Sequence, residues 1–182
     1  MKRHRLQAIF LLLIVAAVCT LAGKEFTDMW IPDDIHPAVS INKVGHLSDY
    51  LPSLAGSRFN TTVYYFESGK PGATMLLLGG THPNEPAGFL AAVVMVENLH
   101  VTEGRVIVIP QACASGFSCT DPLEGYPEHF SIKTANGERM FRFGSRAANP
   151  IDQWPDPLVF LQYPSGQQLS GNETRNLNRA YP

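Results

Sequence analysis

The sequence predicts an α/β fold, with a mixed, largely parallel sheet flanked by helices, and three consecutive segments predict it. Residues 73–78 (ATMLLL) form a short apolar run bounded by glycines, residues 85–99 are helix-forming and rich in Ala, Val and Met, and residues 105–109 (RVIVI) form a second apolar run stopped by Pro110. An apolar strand, a helix and another apolar strand make a βαβ unit in a sheet covered on both faces. Ligands of open α/β sheets collect beyond the carboxyl ends of the strands. Function is therefore expected just after Leu78.

Ahead of that unit lies a targeting segment, residues 1–23. MKRHR is a positively charged start, residues 6–18 are apolar apart from Gln7, and Thr20-Leu21-Ala22-Gly23 offers small residues for cleavage, the three parts of a secretory signal peptide. Residues 6–22 also come close to the roughly 20 residues of a membrane-spanning helix, so an uncleaved signal anchor is the alternative. Val18 stands before Cys19 where a lipoprotein signal needs a small residue, which argues against lipidation. Either reading exports residues 24–182 as a secreted or periplasmic domain, attached to a membrane only if the segment is uncleaved. Removing it takes away Lys2, Arg3 and Arg5 and no acidic residue.

Composition is that of one globular domain: 182 residues, 45% hydrophobic, 16% charged, with no low-complexity tract. With a formal net charge of −2, nothing in the composition suggests a nucleic-acid binder. With Cys19 in the leader, Cys113 and Cys119 are left as a pair five residues apart, either a local disulfide of an exported protein or two free thiols. Asn60-Thr61-Thr62 and Asn172-Glu173-Thr174 are glycosylation triplets of little weight.

Residues 24–57, with Pro32, Pro37 and Pro52, predict short irregular elements. Residues 61–67 (TTVYYFE) are β-branched and aromatic, an outer strand closed by the turn cluster Ser68-Gly69-Lys70-Pro71-Gly72. Residues 111–170 carry many Gly, Pro, Asn and Asp and no sustained period, which predicts loops over the strand ends. Within them residues 130–143 predict a hairpin turning at Asn136-Gly137.

The chemistry is concentrated at the end of the first apolar run. Gly79 and Gly80 let the backbone turn sharply and deliver His82 and Glu85 to the start of the helix. Three residues apart on a helix, they share a face, and an imidazole nitrogen with a carboxylate oxygen is a ligand pair that Zn²⁺ accepts. A catalytic zinc takes three protein ligands and a water, so the pair is two thirds of a set. Spacing alone decides nothing: His100-Val101-Thr102-Glu103 repeats it at the far end of the helix, without a glycine turn, and reads as a solvated surface pair. The second constellation is residues 171–182 (GNETRNLNRAYP), where two arginines and three asparagines form a dense set of donors suited to a carboxylate or a carbonyl.

Together, GGTHPNEPAG at residues 79–88 and LNRAYP at residues 177–182 resemble the succinylglutamate desuccinylase/aspartoacylase family, a branch of the zinc carboxypeptidase superfamily. The resemblance covers residues 72–182 and implies a zinc carboxypeptidase-like domain, incomplete at its C-terminal end. It implies hydrolysis of an amide bond in an N-acyl amino acid or a peptide, with His82 and Glu85 as the first two ligands of one zinc ion. Asn178 and Arg179 match the pair that binds the substrate carboxylate. A further arginine polarises the scissile carbonyl in the family; Arg175 is the nearest, with Arg142 and Arg146 as the others. The family's third ligand, a histidine, and its general-base glutamate both follow the Asn-Arg pair at a distance, past Pro182, and His129 does not match either by position. The expectation is therefore the N-terminal part of such a hydrolase, with an inactive exported fragment or binding domain carrying a partial metal site as the alternative.

Overall fold

The computed structural model describes residues 2–121 and 128–181. The chain divides into two compact units, residues 1–32 and 33–182. The first is dominated by α1 (Lys2–Asp28), which runs past the boundary expected at residue 23. Lys24 and Glu25 are good helix formers, and Lys24 pairs with Asp28 one turn on, which carries the helix beyond its apolar stretch. Between His4 and Asp28 it reaches a mean hydropathy of 2.5 with none of that stretch buried, and it is long and apolar enough to cross a membrane.

One mixed sheet organises the second unit. β1 (Lys43–His46), β2 (Thr62–Glu67), β3 (Thr74–Leu78) and β4 (Arg105–Ile109) lie in the order β1-β2-β4-β3. The βαβ unit is present: β3 pairs parallel with β4, from Thr74 opposite Arg105 to Leu78 opposite Ile109, and α2 (Pro86–Asn98) is the crossover. The sheet is nevertheless not largely parallel, because β1–β2 and β2–β4 are antiparallel. Only the crossover through α2 demands a parallel pair; β1 and β2 are joined by a return through two short 3-10 turns, which sets them antiparallel.

β2 is an inner strand rather than an outer one, and Val63, Tyr64, Tyr65 and Phe66 are all buried. Their side chains alternate across the sheet. Tyr64 and Phe66 pack with Val108 and with Ala92 and Val96 of α2, while Val63 and Tyr65 pack with Ile109 on the other face. The edge position falls to β3, whose Met75 and Leu76 are 50% and 56% exposed. An apolar run records that a strand is compatible with burial on both faces, not that both faces are covered. Among the described residues of this unit, α2 is the α-helix laid on the sheet.

The segment read as loops holds two hairpins, with residues 122–127 outside the described residues. β5 (His129–Thr134) pairs with β6 (Gly137–Arg142) where a hairpin is expected. Its turn falls one residue early, on Ala135 and Asn136, because the Thr134 hydroxyl accepts the Asn136 N–H and donates to the Gly137 carbonyl. β7 (Val159–Gln162) and β8 (Gln167–Ser170) form a second hairpin. The first docks on α2: Phe141 and Phe117 stand edge-on to the fully buried Phe89 at 5.9 and 5.1 Å. Arg139 adds a two-pronged bond to Glu97 of α2, at 2.8 Å for each oxygen.

Candidate functional site

The site grows from the turn between β3 and α2. Gly80 has φ +60, and a Cβ there would lie 2.7 Å from the Pro110 carbonyl oxygen and 2.8 Å from the Phe117 ring. Only glycine fits so close an approach in that conformation. The turn is held on both sides, by Gly79 N–H on Ile109 O at 2.8 Å and by Cys113 N–H on Gly80 O at 3.1 Å. The chain then passes a buried Pro83, and Glu85 takes the N-cap position of α2 without capping it through its side chain. Its carboxylate instead turns back on His82, with Oε1 3.1 Å from Nδ1.

The second motif meets the first at His82. Nε2 lies 2.9 Å from Oδ1 of Asn176, a contact between residues 94 positions apart. The direction of this bond follows from its neighbours. Oδ1 also takes the Asn178 backbone N–H at 3.0 Å, and an N–H can only donate. The Asn176 amide nitrogen donates to Glu173 Oε2 at 2.9 Å. Burial by itself raises the Glu173 carboxyl, but hydrogen bonds from Arg179 and Asn176 and the charges of Arg179 and Arg146 outweigh it, so the group lies below the ordinary carboxylate range and is an acceptor. The Asn176 amide is thus fixed on both ends, and His82 carries a proton on Nε2.

Nδ1 then faces a Glu85 carboxylate oxygen 3.1 Å away, as an ion pair if the ring carries a second proton and as two neighbouring acceptors if it does not. In the second state the two acceptors are placed to share a cation. Two zinc ligands at about 2.0–2.2 Å and a tetrahedral angle stand roughly 3.3–3.6 Å apart, so a small widening of the pair would let it share one coordination sphere. The hydrogen bond from the other ring nitrogen is the usual way a metal-ligating histidine is oriented. Asn84 Oδ1, on the same turn, is buried without a hydrogen-bond partner. No third His, Cys, Asp or Glu joins them in a ligand group among the described residues. His129 is in β5, opposite Arg142 of β6.

The arginines separate by role. Arg175 is not free to polarise a carbonyl: it grips Asp156 with Nε and Nη2 at 2.8 and 3.0 Å and the Ala148 carbonyl at 2.6 Å, and its side chain is 10% exposed. Arg142, at the end of β6, is buried, and its backbone N–H donates to the Asp33 carboxylate. Arg146 is the arginine at the site, with Nη1 3.4 Å from Glu85 Oε1. Arg179 donates Nε to Glu173 Oε2 at 2.5 Å, an edge-on contact that leaves its two Nη groups without a partner among the described residues. Asn178 is exposed. Tyr181 adds a second link between the motifs through its hydroxyl, 2.9 Å from that of Thr81.

Glu173, Asn176 and Tyr181 were visible in the sequence only as members of a polar run; nothing in that run distinguishes them from its exposed residues. The repeat at His100 and Glu103 is exposed at both positions, as expected. Cys113 and Cys119 are free thiols. Burial pushes both up, Cys119 to about 12 with help from the charge of Asp121, so neither supplies a thiolate near neutral pH. Comparison of the chain with family models, with curated proteins and with solved structures gives no match.

Proposed function

We propose that this site belongs to an exported zinc-dependent hydrolase of amide bonds whose substrate, an N-acyl amino acid or a peptide, carries a carboxylate. The observation that carries the reading is the meeting of the two motifs at His82, where Asn176 holds Nε2 and leaves Nδ1 facing Glu85. His82 and Glu85 would hold the zinc, which would supply a Lewis acid for the scissile carbonyl and for activating water. Arg179, with its Nη edge open, and Asn178 would anchor the carboxylate in a bidentate contact. Arg146 takes the place at the carbonyl that the resemblance gives to Arg175, because Arg175 is committed to Asp156. The apolar α1 supports export, as leader or anchor.

The ligand count favours a second reading, a binding domain with a partial metal site and no turnover, since two ligands converge among the described residues where a catalytic zinc takes three. Zinc content of the purified protein, with hydrolysis of a panel of N-acyl amino acids and peptides, separates the two. Bound zinc that is lost in His82→Ala, together with turnover, establishes the hydrolase. Weak zinc binding without turnover establishes the binding domain. Zinc binding unchanged by His82→Ala defeats both.

A further inference from the structure

We infer that Glu173 is the positioning residue that couples the two halves of the site, setting through one oxygen both the orientation of the metal ligand His82 and the presentation of Arg179. The inference rests on the functional reading above and deepens it. Glu173 Oε2 accepts the Asn176 amide at 2.9 Å and Arg179 Nε at 2.5 Å, and its side chain is 20% exposed. Each contact has a consequence one residue further on. A carboxylate takes only the NH₂ end of an amide, so Glu173 turns Oδ1 of Asn176 toward His82 and holds the imidazole proton on Nε2. Rotated by half a turn, the same amide would donate to Nε2 and move the proton to Nδ1, the atom that faces Glu85.

The contact with Arg179 works through the geometry of the guanidinium. Captured on its Nε edge, the group is held in plane with the pair of Nη donors directed away from Glu173, the arrangement for a two-pronged bond to a second carboxylate. The resemblance assigns no role to position 173, and an acid there sets an anion beside the arginine that is to bind an anion. Its position on the Nε edge resolves that conflict, because the substrate's edge stays open.

The test measures the zinc affinity of the full chain by chelator competition, the affinity of the metal-free protein for succinate, and the His82 tautomer from ring ¹⁵N shifts. Asn176→Ala is expected to weaken zinc roughly 10- to 100-fold, the usual effect of removing a partner behind a ligand, and to change succinate far less than Arg179→Ala does, because its only loss in the Asn178–Arg179 segment is the bond to the Asn178 N–H. Arg179→Ala is expected to weaken succinate about tenfold or more and leave zinc unchanged. Glu173→Ala should do both, and should mix the two His82 tautomers. Glu173→Gln, of the same shape, should give the same pattern to a smaller degree and decides the matter if the alanine variant does not fold. A folded Glu173 variant that loses one property or neither overturns the inference. Wild-type protein that binds neither zinc nor succinate overturns the functional reading and this inference with it, a result distinguished by not depending on any variant.

Discussion

Gly80→Ala is the sharpest probe of how the backbone builds the site. Alanine at φ +60 incurs the left-handed penalty of about 1–2 kcal/mol. Its Cβ would also press on the Pro110 carbonyl at 2.7 Å and on the Phe117 ring at 2.8 and 2.9 Å. Neither neighbour yields easily, since one is backbone and Phe117 is 2% exposed within a cluster of aromatic rings. Overpacking of that kind adds about 1–3 kcal/mol. The total is therefore about 2–5 kcal/mol, a large share of the stability of an ordinary domain. Gly69 supplies the control: it has φ +75, and nothing lies within 4 Å of its added Cβ. Gly69→Ala pays the backbone penalty alone, offset by about 0.4–1 kcal/mol from a less flexible unfolded chain. Urea unfolding followed by far-ultraviolet circular dichroism compares the two. The Gly80 midpoint is expected to fall by about 1–2 M and the Gly69 midpoint by under about 0.5 M. Equal midpoints for the two variants would refute the claim that crowding at the turn, beyond backbone conformation, fixes where His82 stands.

Three further outcomes follow from the packing. Arg175→Ala strands the mostly buried Asp156 carboxylate and is expected to destabilise by about 2–4 kcal/mol in denaturation curves; on the proposed reading, zinc content per folded molecule in the same samples would be unchanged. Phe89→Ala empties the centre of the contact between α2 and the first hairpin and should lower stability by about 3–5 kcal/mol in the same unfolding assay. Glu97 gives a pH dependence: burial by itself raises its carboxyl, but the hydrogen bonds from Arg139 and the His36 N–H and the Arg139 charge lower it below the ordinary range. A depressed carboxyl stabilises fully above its unfolded value near 4.3 and loses that contribution as pH falls through the folded value. Wild type should therefore exceed Glu97→Gln by about 1–2 kcal/mol from pH 7 to 5, with the gap closing below about pH 4 in denaturation curves.

The sequence disclosed those elements whose signals are local. The β3–α2–β4 unit and the Gly-Gly turn needed only an apolar run, two glycines and a helix-forming stretch, and α2 begins one residue after its expected start. The order of the strands was not local. Whether residues 62–67 lie inside or outside the sheet depends on β4 being inserted between β2 and β3, which no period in either segment records. β3 shows the converse, an apolar strand left at an edge with Met75 and Leu76 exposed. The candidate site divides the same way. The contact between His82 and Glu85 was legible from spacing and context, but the partners of the arginines were not: that Asp156 meets Arg175 and that Arg146 reaches Glu85 is recorded nowhere in the local sequence. Charged residues advertise that they will find partners, not which ones.

The charges gathered at the site bear on what it would bind. Glu85 and Glu173 stand against Arg146 and Arg179, two carboxylates facing two guanidiniums, so the cluster has little net pull on an acidic substrate. Arg179 keeps its Nη edge open, yet Glu173 sits 2.5 Å from its Nε. A divalent cation held by His82 and Glu85 would make the same cluster net positive and relieve Arg146 of its attraction to Glu85. On the proposed reading, then, carboxylate binding and zinc binding favour each other, and linkage requires the two enhancements to be equal. Coupling of this kind typically changes affinity between about 5- and 150-fold. Titrating succinate with and without zinc, and zinc with and without succinate, gives both factors independently. Matching enhancements support a site in which the ligand pair and the Asn178–Arg179 segment act on one substrate. Succinate affinity unmoved by zinc would separate the two motifs functionally, however closely Asn176 and His82 approach.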